Sequence, residues 1–201
     1  MKDLNQLLLK FDLKQNYKNE DFYVNKSNFF AFNLIDKWPK WEKNILNIYG
    51  EKYCGKTHLS NIFKKKYKAF KIRANEFNSN NLKEFKVFEN LILEDFDESV
   101  DENLMYTLFN IADQDNKFIL INSLIPINQL NFKLNDFKSR AKNCLFAKIE
   151  KPDDELIFAI LLKNFSDRQI TIEKKLIDFI IKHIDRSYGK IYEFIYKIDE
   201  I

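Results

Sequence analysis

The sequence predicts an α/β fold: a mainly parallel sheet covered by helices on both faces, followed by a small helical bundle. Up to about residue 151, short apolar runs bounded by breakers alternate with longer segments of helical period. From Asp153 onward the period is helical throughout. Glycine is scarce, three residues in 201, where average usage would place about fourteen. That excludes a β-protein built on Gly-rich turns.

Ile45–Tyr49 reads as a buried strand, followed by a Gly-containing turn and a helix over Lys56–Lys66. Lys64, Lys65 and Lys66 suit the negative end of that helix. Ala69–Ile72 is a second strand and Leu91–Leu93 a third, ending in acidic residues. Asp101–Ala112 is helical, Phe118–Asn122 a fourth strand, Asn135–Lys142 a short helix and Leu145–Ile149 a fifth strand. Proline and an acidic N-cap at Lys151-Pro152-Asp153-Asp154 mark a boundary. Helices then cover Asp154–Phe165, Glu173–Ile184 and Gly189–Ile198.

Composition narrows the function classes. The formal charge of +3 is too even for a nucleic-acid binder that works through a concentrated basic surface. Two cysteines without metal-ligand spacing cannot staple a chain of this size, so a reducing cytoplasm is expected. The longest apolar run, Leu156 to Leu162, falls far short of the roughly twenty residues of a membrane helix. No carboxylate pair at catalytic spacing, Ser-His arrangement or zinc pattern is visible.

Gly50-Glu51-Lys52-Tyr53-Cys54-Gly55-Lys56-Thr57 fits G-x-x-x-x-G-K-[ST] between a predicted strand and helix. Gly50 and Gly55 let the backbone curl so that N–H groups face phosphate oxygens, and the helix start adds its positive dipole. Lys56 would reach the β- and γ-phosphates, and the Thr57 hydroxyl would hold Mg²⁺. The loop implies ADP or ATP, with Gly50, Tyr53, Cys54, Gly55, Lys56, Thr57 and His58 lining the site. An acid at the end of an apolar strand should steer the metal, and Asp95 in Leu91-Ile92-Leu93-Glu94-Asp95 is the candidate. The next residue is Phe96, where catalytic ATPases of the AAA+ type carry a second, water-polarising acid, so nucleotide binding is more secure than hydrolysis and intrinsic ATPase activity is expected to be weak or absent.

These residues resemble the DnaA-like AAA+ family, and within it the Hda type of proteobacteria. The resemblance includes Asp21-Phe22-Tyr23-Val24 with Ser27-Asn28, and Ile35-Asp36-Lys37-Trp38-Pro39-Lys40-Trp41 leading into the loop. Gly55-Lys56-Thr57-His58-Leu59 is similar to the family's helix start, and Asn122-Ser123-Leu124-Ile125-Pro126 falls where it places sensor 1. Asp136-Phe137-Lys138-Ser139-Arg140 looks like the segment bearing the arginine finger, and Asp185-Arg186-Ser187-Tyr188-Gly189-Lys190 resembles the sensor-2 helix. Leu124 and Lys190 depart from the polar and arginine residues usual there.

The resemblance implies three parts: an N-terminal peptide over 1–15, an AAA+ nucleotide-binding domain over 16–151 and a helical lid over 152–201. In Hda proteins the N-terminal peptide binds the β sliding clamp of DNA polymerase III. Here Gln6, Leu9 and Phe11 carry its Q-x-x-L-x-F character. The same hexamer could form an edge strand, but its place ahead of a DnaA-like core selects the peptide reading. Arg140 would act in trans on ATP held by the DnaA initiator, one of only four arginines in the chain. Lys190 would offer a point charge to the nucleotide. The implied role is a nucleotide-binding regulator that prevents re-initiation of replication. The chain ends at Ile201 without the initiators' helix-turn-helix, so direct sequence-specific DNA binding is not expected. A homo-oligomer stays open. The alternative is a self-sufficient AAA+ ATPase acting on DNA, such as a truncated initiator or helicase loader.

Overall fold

The computed structural model describes residues 22–198. The sheet strands are β1 (Ile45–Tyr49), β2 (Phe70–Arg73), β3 (Asn90–Phe96), β4 (Phe118–Ser123) and β5 (Leu145–Lys148). They run parallel in the order β2-β3-β4-β1-β5. The helices are α1 (Phe29–Asp36), α2 (Lys56–Tyr67), α3 (Ser79–Val87), α4 (Glu102–Gln114), α5 (Asn135–Lys142), α6 (Asp154–Asp167), α7 (Lys174–His183) and α8 (Tyr188–Ile198).

All five strands fall within a few residues of the sequence expectation. Helices α1 and α3 lie where no helical run was read. In α3 only Phe85 is buried, so there is little apolar period to see. Its start is fixed instead by a capping box, in which Asn78 accepts from Asn80 N–H at 3.0 Å and Asn81 accepts from Asn78 N–H at 2.9 Å.

The sheet is buried on both faces, as parallel sheets are. Ile45, Leu91, Leu93, Ile119 and Ile121 pack with Phe85, Phe109 and Phe137 on one side. Leu46, Ile48, Ile92 and Leu120 pack with α1 and with Leu59, Ile62 and Phe63 of α2 on the other. Trp38 and Trp41 close this second layer: Trp41 stacks on Phe63 at 5.6 Å, and Trp38 lies 4.4 Å from Tyr67.

A polar pin crosses the first layer. Asn47 of β1, fully buried, donates to Ser123 Oγ at 2.9 Å and Ile121 O at 3.2 Å, and accepts from Ile127 N–H at 3.0 Å. Apart from a longer bond to Ile48 O at 3.4 Å, its side-chain bonds go to β4 and the segment just after it, tying β1 to β4 near the end of the sheet where the phosphate loop begins.

Beyond β5, Asp153 caps α6, accepting from Leu156 N–H at 2.9 Å. Helices α6, α7 and α8 share a separate apolar cluster of Ile157, Leu161, Phe165, Ile177 and Ile191. Leu156 and Tyr188 belong instead to the α1–α2 layer and tie the three helices to the sheet.

Candidate functional site

The loop leaves β1 at Gly50 and enters α2 at Lys56. A Cβ at Gly50 would lie 2.9 Å from Ile149 O and 3.0 Å from Cys54 Sγ, so only glycine fits that approach. Gly55 caps α2 with φ 97°, and a Cβ there would meet the Phe22 ring at 2.9 Å. The third glycine does not share this need: a Cβ at Gly189 would meet only Ser187 Oγ, at 3.5 Å.

The site is built for an anion. Among the described residues no side chain caps the N-terminus of α2, and its first turn holds no acid, so its leading N–H groups and dipole have no negative partner there. Lys56 Nζ curls back onto Gly50 O and Glu51 O, both at 2.8 Å, and among the described residues no carboxylate pairs with it. Cys54 is buried beneath the loop, where burial pushes its thiol pKa up despite the nearby Lys56 ammonium. It fills space there rather than acting as a nucleophile. His58 packs edge-on against Phe22 at 5.2 Å.

Of the two adjacent acids, Glu94 rather than Asp95 turns toward Thr57. Glu94, 6% exposed, accepts from the Thr57 hydroxyl at 3.0 Å and from Asn122 Nδ2 at 3.0 Å. Its other oxygen lies 2.8 Å from Lys71 Nζ. Asp95 instead points outward, with Arg73 Nε 4.0 Å away. The physical reason is a bulge in β3. Asp95 adopts φ 52°, and the register slips between Leu93 and Phe96. The strand therefore continues past the acids, with Glu94 on the α2 face beside Ile92. Counting by twos from Ile92 would have found it in the sequence.

Burial pushes the Glu94 pKa up, but the Lys71, Asn122 and Thr57 bonds outweigh it and hold the carboxyl below its ordinary value of 4.5. Its contribution to stability is thus present above that ordinary value and is lost as pH falls through the lower folded one. Denaturant titrations from pH 6 downward should show a steeper acid-side loss of stability in wild type than in Glu94→Gln. Equal slopes would remove Glu94 from that limb.

Thr57 and Glu94 are hard oxygen donors and fit Mg²⁺, which typically takes one or two protein ligands and leaves the rest to phosphates and water. Among the described residues no group of three or more His, Cys, Asp or Glu could hold a metal unaided.

The sensor expectations fare differently. Asn122, 1% exposed, sits behind Glu94 and also donates to Ser60 Oγ at 2.7 Å, while Leu124 is 62% exposed. Lys190 does not face the loop; it is exposed and pairs with Glu193 one turn on, at 2.9 Å. The residues of the α8 segment that reach the loop were not anticipated. Ser187 Oγ and Tyr188 N–H donate to Glu51 at 3.2 and 2.5 Å, and Tyr192 stacks on Tyr53 at 4.1 Å.

Arg140 ends α5 and pairs with Asp113 at the end of α4. Both precede the strands they lead into, so Arg140 lies at the opposite sheet edge from the loop. Five residues of β1 put about 16 Å between those edges. It cannot serve its own loop. Gln6, Leu9 and Phe11 lie outside the described residues. Among those described, no helix is long and apolar enough to cross a membrane.

The chain is 31% identical over 200 residues to the chromosomal replication initiator protein DnaA of Borrelia duttonii, covering 86% of this chain and 41% of that protein. The chain is similar to DnaA replication initiators. DnaA of Corynebacterium jeikeium is 28% identical, over 87% of this chain and 34% of its own length. The chain thus spans well under half of the curated relatives it matches. No protein-family model matches it.

Among solved structures, domain III of DnaA from Thermotoga maritima superposes with a TM-score of 0.67 at 21% identity, covering 88% of this chain and 85% of that one. DnaA bound to AMPPCP and single-stranded DNA gives 0.71 at 19%, over 92% and 65%. These likenesses establish the fold, an α/β domain with a five-stranded parallel sheet and flanking helices that matches domain III of DnaA.

Proposed function

We propose that the chain is a DnaA-type nucleotide-switch unit. It binds ADP or ATP with Mg²⁺ through Gly50–Thr57 and offers Arg140 to the nucleotide of a neighbouring subunit. The observation that supports this most is the Lys56 ammonium, which among the described residues has no carboxylate partner, beside a helix N-terminus that none of them caps. AMPPCP in a DnaA structure of the same fold agrees with it. Thr57 and Glu94 would hold the metal, which supplies charge neutralisation at the phosphates. Residues 152–201 act as the lid, with Tyr53 and Glu51 as its contacts to the loop.

Reading Glu94 as the metal carboxylate changes the hydrolysis expectation. Asp95 now stands directly after it, in the place of the water-polarising acid that Phe96 seemed to displace. The site then has the acids for turnover.

In the regulatory version, Gln6, Leu9 and Phe11 dock the chain on the β sliding clamp. Arg140 then promotes hydrolysis of ATP on the DnaA initiator in the cytoplasm, which prevents re-initiation. Its exposed pair with Asp113 costs about 1 kcal/mol or less to release. The second version, a self-sufficient initiator or loader unit, is favoured by the adjacent Glu94 and Asp95.

ATP turnover separates them. In the regulatory version, stimulation of DnaA on clamp-loaded DNA should fall about 1000-fold with Arg140→Ala. In the second, the chain alone turns over ATP and Asp95→Asn removes that activity. Arg140→Ala leaving both reactions intact would eliminate the finger.

A further inference from the structure

Lys71 occupies an unusual place for a surface-strand lysine. It lies on β2, an edge strand, yet its side chain is only 18% exposed. Register pairs Lys71 with Ile92 and Arg73 with Glu94, so Lys71 reaches Glu94 diagonally across the ladder. Its Nζ lies 2.8 Å from Glu94 Oε1 and 2.8 Å from Asn61 Oδ1 on α2. The other Glu94 oxygen is taken by two neutral donors, Thr57 and Asn122. One carboxylate oxygen therefore has two hydrogen-bond donors and the other an ion pair, and among the described residues the cation that meets Glu94 is Lys71.

A buried carboxylate needs a compensating cation. At a phosphate site that cation would be the metal; here Lys71 already supplies it. We propose that Lys71 is the resident counter-cation of Glu94, competing with divalent metal for that carboxylate and so setting the metal affinity of the site. This rests on the reading of Glu94 as the metal carboxylate. Two cations drawn to one carboxylate repel, so metal entry and the Lys71 pair are negatively coupled. Asn61, exposed on α2, gives the displaced ammonium a second anchor.

Mn²⁺ is the probe, its free concentration read by electron paramagnetic resonance during titration of the full chain with ADP. Lys71→Met removes the charge and keeps the length; Lys71→Gln keeps a donor and guards against misfolding of the first variant. Both should tighten Mn²⁺ binding roughly fivefold or more, at the lower end of typical coupling between sites. Glu94→Gln should weaken it, and the Lys71→Met change should have no further effect in the Glu94→Gln background. Unchanged or weaker Mn²⁺ binding in both Lys71 variants, with Glu94→Gln still weakening it, would overturn the role of Lys71 alone. Glu94→Gln leaving Mn²⁺ affinity intact would overturn the Glu94 reading together with the proposal.

Discussion

Replacing Lys56 by alanine is expected to weaken ATP binding about 100-fold, roughly 2.7 kcal/mol, as read by titration with a fluorescent ATP analogue. Two losses combine in that figure. The phosphate oxygens lose the charge that would meet them, and the loop loses the brace from Lys56 Nζ to Gly50 O and Glu51 O. Thermal stability should change little, because the ammonium is bonded only within the loop. A variant that binds ATP as wild type does would show that the nucleotide sits elsewhere.

The second large effect is on stability. Phe137 is fully buried at the centre of a ring cluster, 5.2 Å from Phe109 and 4.7 Å from Phe132. Phe137→Ala removes the anchor of α5 and leaves a cavity, a change that costs about 3–5 kcal/mol. For a chain of this length the melting temperature should drop by about 10 °C or more. Arg140→Ala, one turn further along α5, should shift it by only about 2 °C, since an exposed pair contributes about 1 kcal/mol or less. The contrast matters for the arginine finger: activity lost in Arg140→Ala cannot then be assigned to a displaced helix. Comparable destabilisation by both substitutions would contradict this division.

The phosphate loop was legible because its signal is local. An apolar run ends at Gly50, and Gly50 and Gly55 stand where the backbone closes on Ile149 and Phe22. The inner strands β1, β3 and β4 were legible for the same reason: burial on both faces turns them into largely apolar runs.

Glu94's inward turn was hidden because β3 looked finished at Leu93. A buried glutamate made tolerable by Lys71 leaves no apolar mark, and the bulge at Asp95 returns Phe96 to the core face with Leu91 and Leu93. Lys190 failed for a different reason. Whether a helix residue turns to the loop depends on how α8 rotates, which Tyr188 and Tyr192 decide by packing on residues far away in sequence. Helix α3 left little trace because a capping box and one phenylalanine suffice to hold it.

In the proposed metal–nucleotide site, the loop and Glu94 act together. The most direct test is the Mg²⁺ dependence of ATP affinity in wild type, Glu94→Gln and Asp95→Asn, measured under one buffer. The expected result is that Glu94→Gln loses most of the Mg²⁺ dependence while Asp95→Asn keeps it. The opposite pattern, with Asp95→Asn losing the dependence and Glu94→Gln retaining it, would contradict the account.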